Sequence, residues 1–112
     1  MPLSDVDRLS LLAAAPRIVK LWEALTALRS VTSFLQSGAH PDDEMSGMLA
    51  ALRIRDGLDV SYVCANRGEG GQNDIGTARG AALGAVRTAE MEAAAAVLDM
   101  RLYWLSDAPD DP

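Results

Sequence analysis

An α/β fold built on a small parallel sheet is what this sequence predicts, and three observations predict it. Three short β-rich runs, at residues 31–37, 58–65 and 101–105, are separated by segments whose apolar residues recur at helical spacing. Strand–helix–strand–helix–strand order calls for parallel pairing through right-handed crossovers. Each run is followed by a polar cluster, so chemistry-bearing residues collect at one end of every strand.

Residues 4–29 read as one or two helices, with Pro16 a break or a first-turn residue. Leu21, Leu25 and Leu28 recur at helical spacing there and mark a packing face rather than a membrane anchor. The first strand, 31–37, is polar for a central strand because it holds Ser33, Gln36 and Ser37. Asp42 to Glu44 fall where the next helix would begin, where the helix dipole favours carboxylates. Met45, Met48, Leu49 and Leu52 then step at helical spacing, and Gly57 is placed to stop that helix. Val60, Tyr62 and Val63 give the second strand typical β content. Residues 66–76 hold four glycines and form a loop, 78–100 is a long Ala-rich helix, and 101–105 is the third strand. No internal repeat or low-complexity tract is present.

At 112 residues the chain is at most one domain with a modest core, and 49% hydrophobic content argues for a globular chain. A formal charge of −6 argues against a phosphate-backbone binder, and hence against a nucleic-acid partner. The single Cys64 excludes an internal disulfide framework and a cysteine-rich zinc site, and its apolar neighbours make it a core thiol. Asp5 and Asp7 stand where a secretory signal would carry positive charge, and Glu23 and Arg29 interrupt the next apolar stretch. No run of about 18 apolar residues exists to span a membrane. A cytoplasmic location is the resulting expectation.

The topology is that of a Rossmann-like half-domain, in which ligands bind outside the carboxyl ends of the strands. The clusters His40 to Glu44, Arg67 to Asn73 and Asp107 to Asp111 should therefore converge on one sheet edge.

His40-Pro41-Asp42-Asp43-Glu44 is the most specific of these clusters. An imidazole and a carboxylate can hold a divalent metal while a second carboxylate takes a proton from water. Pro41 restricts His40 to extended geometry at a strand end. The commonplace reading of the same letters is a strand-to-helix turn with an acidic cap. The glycine-rich cluster Arg67-Gly68-Glu69-Gly70-Gly71-Gln72-Asn73 fits neither the dinucleotide fingerprint nor the P-loop. Arg87 and Glu90, spaced i,i+3, can pair on one helix face.

The five-residue string resembles the opening motif of the PIG-L/LmbE-like N-acetylglucosaminyl deacetylases, and the likeness runs from about Val31 onward. It implies zinc bound by His40 and Asp43, with Asp42 as general base. The glycine loop is similar to the family's second motif, which borders the metal pocket and brings Glu69, Gln72 and Asn73 within reach of substrate. Arg87-x-x-Glu90 resembles the Arg-x-x-Glu helix motif, implying that Arg87 reaches sugar hydroxyls and Glu90 orients it. Pro109-Asp110 resembles a Pro-Asp turn whose aspartate binds sugar, although Asp111 stands where a glycine usually follows. The activity implied is hydrolysis of an N-acetylated amino-sugar conjugate at its linear amide bond.

The resemblance divides the chain into an N-terminal helical segment, 1–30, and the N-terminal part of a PIG-L/LmbE-like domain, 31–112. Family members take a third zinc ligand, a histidine, from a later segment, whereas this sequence holds one histidine in total. The expectation is therefore an incomplete Rossmann-like domain, and activity of the chain is left open. The alternatives are a non-catalytic Rossmann-like fragment and a different metal hydrolase such as a phosphoesterase.

Overall fold

The computed structural model describes residues 16–106, with Ser4, Val6, Asp7, Ser10 and Ala14 before them. Helix α1 (Arg17–Ala27) precedes strand β1 (Ser33–Gly38). Helix α2 (Ser46–Ala50) runs on into a π-helical turn (Ala51–Arg55) and leads to β2 (Asp59–Cys64). Helix α3 (Ala81–Leu98) and β3 (Arg101–Trp104) complete the order. The strands lie β1-β2-β3 and both pairings are parallel, with Ser33 opposite Asp59 and Ser61 opposite Arg101. The expected α/β architecture is thus present, with β2 as the central strand.

Alternation along β2 sends Val60, Tyr62 and Cys64 to one face, where all three are fully buried. Leu49 of α2 and Met91 and Ala95 of α3 pack against them, with Phe34, Leu102 and Trp104 partly buried around the cluster. Both crossover helices therefore cover the same face of the sheet. Ser33, Leu35 and Ser37 of β1 and Arg101 and Tyr103 of β3 are exposed on the other. Among the described residues no helix is long and apolar enough to cross a membrane.

Two helices differ from expectation. The face of α1 carrying Leu21, Leu25 and Leu28 does not pack: these side chains are 53%, 52% and 81% exposed. The opposite side faces the body instead, where Thr26 is buried and Lys20, Glu23 and Ala24 share a cleft with Arg53 and Asp99. Gly57 explains the close approach. Its φ of +75° suits the stop after the π-helical turn, and a Cβ there would lie 2.3 Å from the Thr26 carbonyl oxygen.

The second helix begins at Ser46, not at Asp42 to Glu44. The amides of Asp42 and Asp43 both donate to the His40 carbonyl, at 3.0 and 3.3 Å, which closes a tight turn before any helix can start. The three carboxylates thus sit in a loop at the sheet edge, clear of the helix's first turn.

Candidate functional site

The turn after β1 is built by five side-chain contacts. The His40 amide donates to Asp43 Oδ2 at 2.9 Å, and His40 Nδ1 lies 3.3 Å from the same oxygen. Gln36, on β1, donates from Nε2 to the Asp43 carbonyl at 3.2 Å and accepts the Met45 amide on Oε1 at 3.1 Å. Tyr62, reaching across from β2, donates its hydroxyl to the His40 carbonyl at 2.9 Å. The Ala65 and Asn66 amides donate to Gly38 and Ala39, each at 3.0 Å, so the loop after β2 continues the ladder past the strand ends.

These contacts have electrostatic consequences. The His40 amide holds the Asp43 carboxyl below the usual carboxylate range, so Asp43 is an anion ready to bind a cation. Burial pushes the Tyr62 phenol up, keeping it a hydrogen-bond donor throughout the working pH range. Burial likewise pushes the Cys64 thiol up, which suits a core residue and not a nucleophile.

Asp42 is engaged from α3. Its Oδ2 lies 2.6 Å from Nη2 of Arg87, which also donates to the Pro41 carbonyl at 3.4 Å. The partner expected for Arg87 was Glu90. The chain instead brings the strand-end turn within reach of α3, and the guanidinium takes the nearer carboxylate there. Gly68 and Gly71 of the glycine loop wrap the same guanidinium, a Cβ on either falling within 2.9 Å of it.

The loop's other side chains mostly serve the loop. Asn73 donates to the Ala78 carbonyl at 3.2 Å and accepts the Ile75 amide at 3.2 Å. The Glu69 carboxylate packs against Gly84, one of its oxygens buried without a hydrogen-bond partner. Gln72 is exposed. Arg67, to which the sequence reading gave no role, anchors the loop by stacking on Trp104 at 3.9 Å from the ring centroid and donating to the Ser106 carbonyl.

His40, Asp42, Asp43 and Arg87 are thus gathered at the carboxyl edge of β1 and β2, whereas Asp110, with Asp107 and Asp111, lies outside the described residues. As a metal site the turn offers one imidazole nitrogen and one carboxylate oxygen, 3.3 Å apart on side chains 49% and 43% exposed. That donor pair suits zinc. No third His, Cys, Asp or Glu joins it in a metal-holding group among the described residues, and a catalytic zinc normally takes three protein ligands.

Gln36 and Tyr62 are the residues that sequence reasoning missed. The signal for Gln36 was available, because a glutamine on the covered face of a strand needs partners for its amide.

Residues 35–112 match the family described as PIG-L, GlcNAc-PI de-N-acetylase. No curated protein and no solved structure matches the chain.

Proposed function

The chain belongs to the PIG-L (GlcNAc-PI de-N-acetylase) family, and on that premise we propose that it is a zinc-dependent hydrolase removing the acetyl group from an N-acetylglucosamine-type substrate. The observation that carries the reading is the single turn holding His40 and Asp43 side by side, with Asp42 between them in sequence and paired to Arg87. In this reading residues 31–112 form the catalytic part, 1–30 are an N-terminal helical segment, and the setting is cytoplasmic.

His40 and Asp43 would hold the zinc, which when bound would supply Lewis acidity to the acetamido carbonyl and acidity to water. Asp42 accepts the proton of the attacking water. A side chain less than a turn away from the ligand pair, yet not tied to it, is what that role needs. Arg87 and Asp110 engage the sugar hydroxyls. Attack of the water oxygen on the amide carbon, then cleavage of the C–N bond with the proton held by Asp42 passing to the leaving nitrogen, yields acetate and the free amino sugar.

Acetate release from an N-acetylglucosaminyl conjugate, measured with zinc and with a chelator, tests the reading. Zinc-dependent acetate release is expected, and release unaffected by the chelator would overturn it. One observation favours a second reading, a Rossmann-like module with motif letters but no working centre: the described residues supply two donors, not three. Under that reading calorimetric titration detects no zinc binding and no acetate is released.

A further inference from the structure

We propose that Arg87 is a positioning residue for Asp42, and that the turn around Gly68 and Gly71 is the cradle that sets its reach. The inference rests on Asp42 being the general base. Asp42 is 64% exposed on a loop, so by itself its carboxylate would sample several rotamers. The Arg87 side chain is only 17% exposed and is fixed by what surrounds it. Its Nη2 donates to Asp42 Oδ2 at 2.6 Å and to the Pro41 carbonyl at 3.4 Å, tying the carboxylate to the backbone just before it. Among the described residues, Oδ2 is the Asp42 oxygen so engaged, which leaves Oδ1 open to accept a proton.

The cradle accounts for two of the loop's glycines. A Cβ on Gly68 would lie 2.9 Å from Cδ and from Nη1 of Arg87, and one on Gly71 would lie 2.7 Å from Nη1. Both are closer than real side chains approach. Gly68 also has φ +76°, so glycine serves there for backbone as well as space. The cradle is itself fixed, by Arg67 on Trp104 and by Glu69 against Gly84. The ends of β1, β2 and β3 are linked in this way to the orientation of one carboxylate. An arginine that served only to contact sugar would need neither the bond to Asp42 nor the bond to Pro41.

The test uses the full chain with Arg87→Lys, Arg87→Met and Gly71→Ala. Gly71→Ala matters most, because it displaces the guanidinium while leaving its charge in the protein. Two readouts are taken. The first is kcat and KM for acetate release from an N-acetylglucosaminyl conjugate with zinc. The second is the 13C resonance of the Asp42 carboxyl in metal-free protein, identified by its loss in Asp42→Asn. Arg87→Met and Gly71→Ala should each lower kcat by about 10–100-fold, the scale of a misplaced catalytic group, beyond any rise in KM from the lost sugar contact. Arg87→Lys should recover part of the loss. The Asp42 resonance should move in Arg87→Met and Gly71→Ala, while those of the remote Asp56 and Asp59 stay in place.

A raised KM with kcat intact would overturn the proposal and leave Arg87 a sugar contact alone. An unmoved Asp42 resonance would overturn it equally. If the parent chain releases no acetate with zinc, the functional reading fails separately, and the carboxyl resonance still decides whether Arg87 holds Asp42. Should Arg87→Met not fold, Gly71→Ala and Arg87→Lys carry the comparison.

Discussion

Gly38→Ala should be among the most damaging single-methyl additions in this chain. Gly38 ends β1, and a Cβ built on it lies 2.0 Å from the Tyr62 hydroxyl oxygen, 2.9 Å from Cζ and 3.0 Å from Cβ of Asp43. Its φ is outside the left-handed region, so alanine meets no backbone strain and the whole cost is contact. Tyr62 has no room to withdraw, being fully buried among Leu49, Val60 and Cys64. Overpacking of this kind costs about 1–3 kcal/mol. Displacing the hydroxyl from the His40 carbonyl adds about 1 kcal/mol. The total, about 2–4 kcal/mol, corresponds to a fall in Tm of roughly 8–16 °C for a domain of this size. Denaturant unfolding of wild type, Gly38→Ala, Tyr62→Phe and the double variant is the assay. Tyr62→Phe alone should cost about 1 kcal/mol, and the double variant should cost less than the sum by about 1 kcal/mol or more, because the clashing oxygen is gone. Strictly additive costs, or a Gly38→Ala change within about 0.5 kcal/mol of wild type, would refute the packing argument.

Three further outcomes are expected. With the zinc shell completed by a third ligand, a histidine, Asp43→Ala should lose both zinc and activity, whereas Asp42→Asn should keep zinc and lose turnover by roughly 10²–10⁴-fold; metal analysis beside turnover decides, and the reverse pattern exchanges the two roles. The folded-state pKa of Asp43 is lowered by the His40 amide from the ordinary value of 3.8, so its stabilisation is full above that value and is lost as pH falls through the lowered one. The stability difference between wild type and Asp43→Asn in metal-free protein should therefore shrink as pH falls through 3.8 and below, and a difference that is flat with pH would contradict it. Cys64, fully buried and with its thiol pushed up by burial, should react with a thiol reagent only through opening of the fold, so labelling in native buffer should be slow and should accelerate with sub-denaturing denaturant.

The order of strands and helices was legible because each element keeps its own period and is punctuated. Gly57 ends the second helix, and Val60, Tyr62 and Cys64 alternate cleanly into the core. The likeness of the five-residue turn to a family motif was legible too, and the match over residues 35–112 agrees with it. What local pattern does not encode is which distant group reaches a loop. Arg87 and Glu90 share a helix, so spacing suggests a pair. The partner the fold supplies is Asp42, 45 residues earlier in the chain. The same limit hid Tyr62, whose role at His40 depends on strand pairing 22 residues away. The late start of α2 has a different cause. Carboxylates before a helix favour its first turn only if the backbone is free to enter it, and here the His40 carbonyl has already taken the amides of Asp42 and Asp43.

Apolar periodicity in this chain identifies residues that share a face, but topology decides whether that face is inside. With strand order β1-β2-β3, both crossover helices lie on the Val60–Tyr62–Cys64 side. The opposite face mixes Leu35, Val63 and Tyr103 with Ser33, Ser37 and Ser61, and Arg101 pairs with Asp59 at 2.9 Å along it. Ser33 and Ser37, with Gln36, are the polarity that made β1 look unlike a central strand, and β1 is in fact the edge neighbour of β2. Gln36 lies on the other, covered face, and its amide is committed to the turn that carries His40 and Asp43. The polar residues of β1 therefore divide by face into two tasks. One set meets water on the uncovered side, and Gln36 fixes the site from the covered side. A hydrophobic substitution at Ser33 or Ser37 would leave the turn intact, whereas one at Gln36 would release both of its hydrogen bonds to the site.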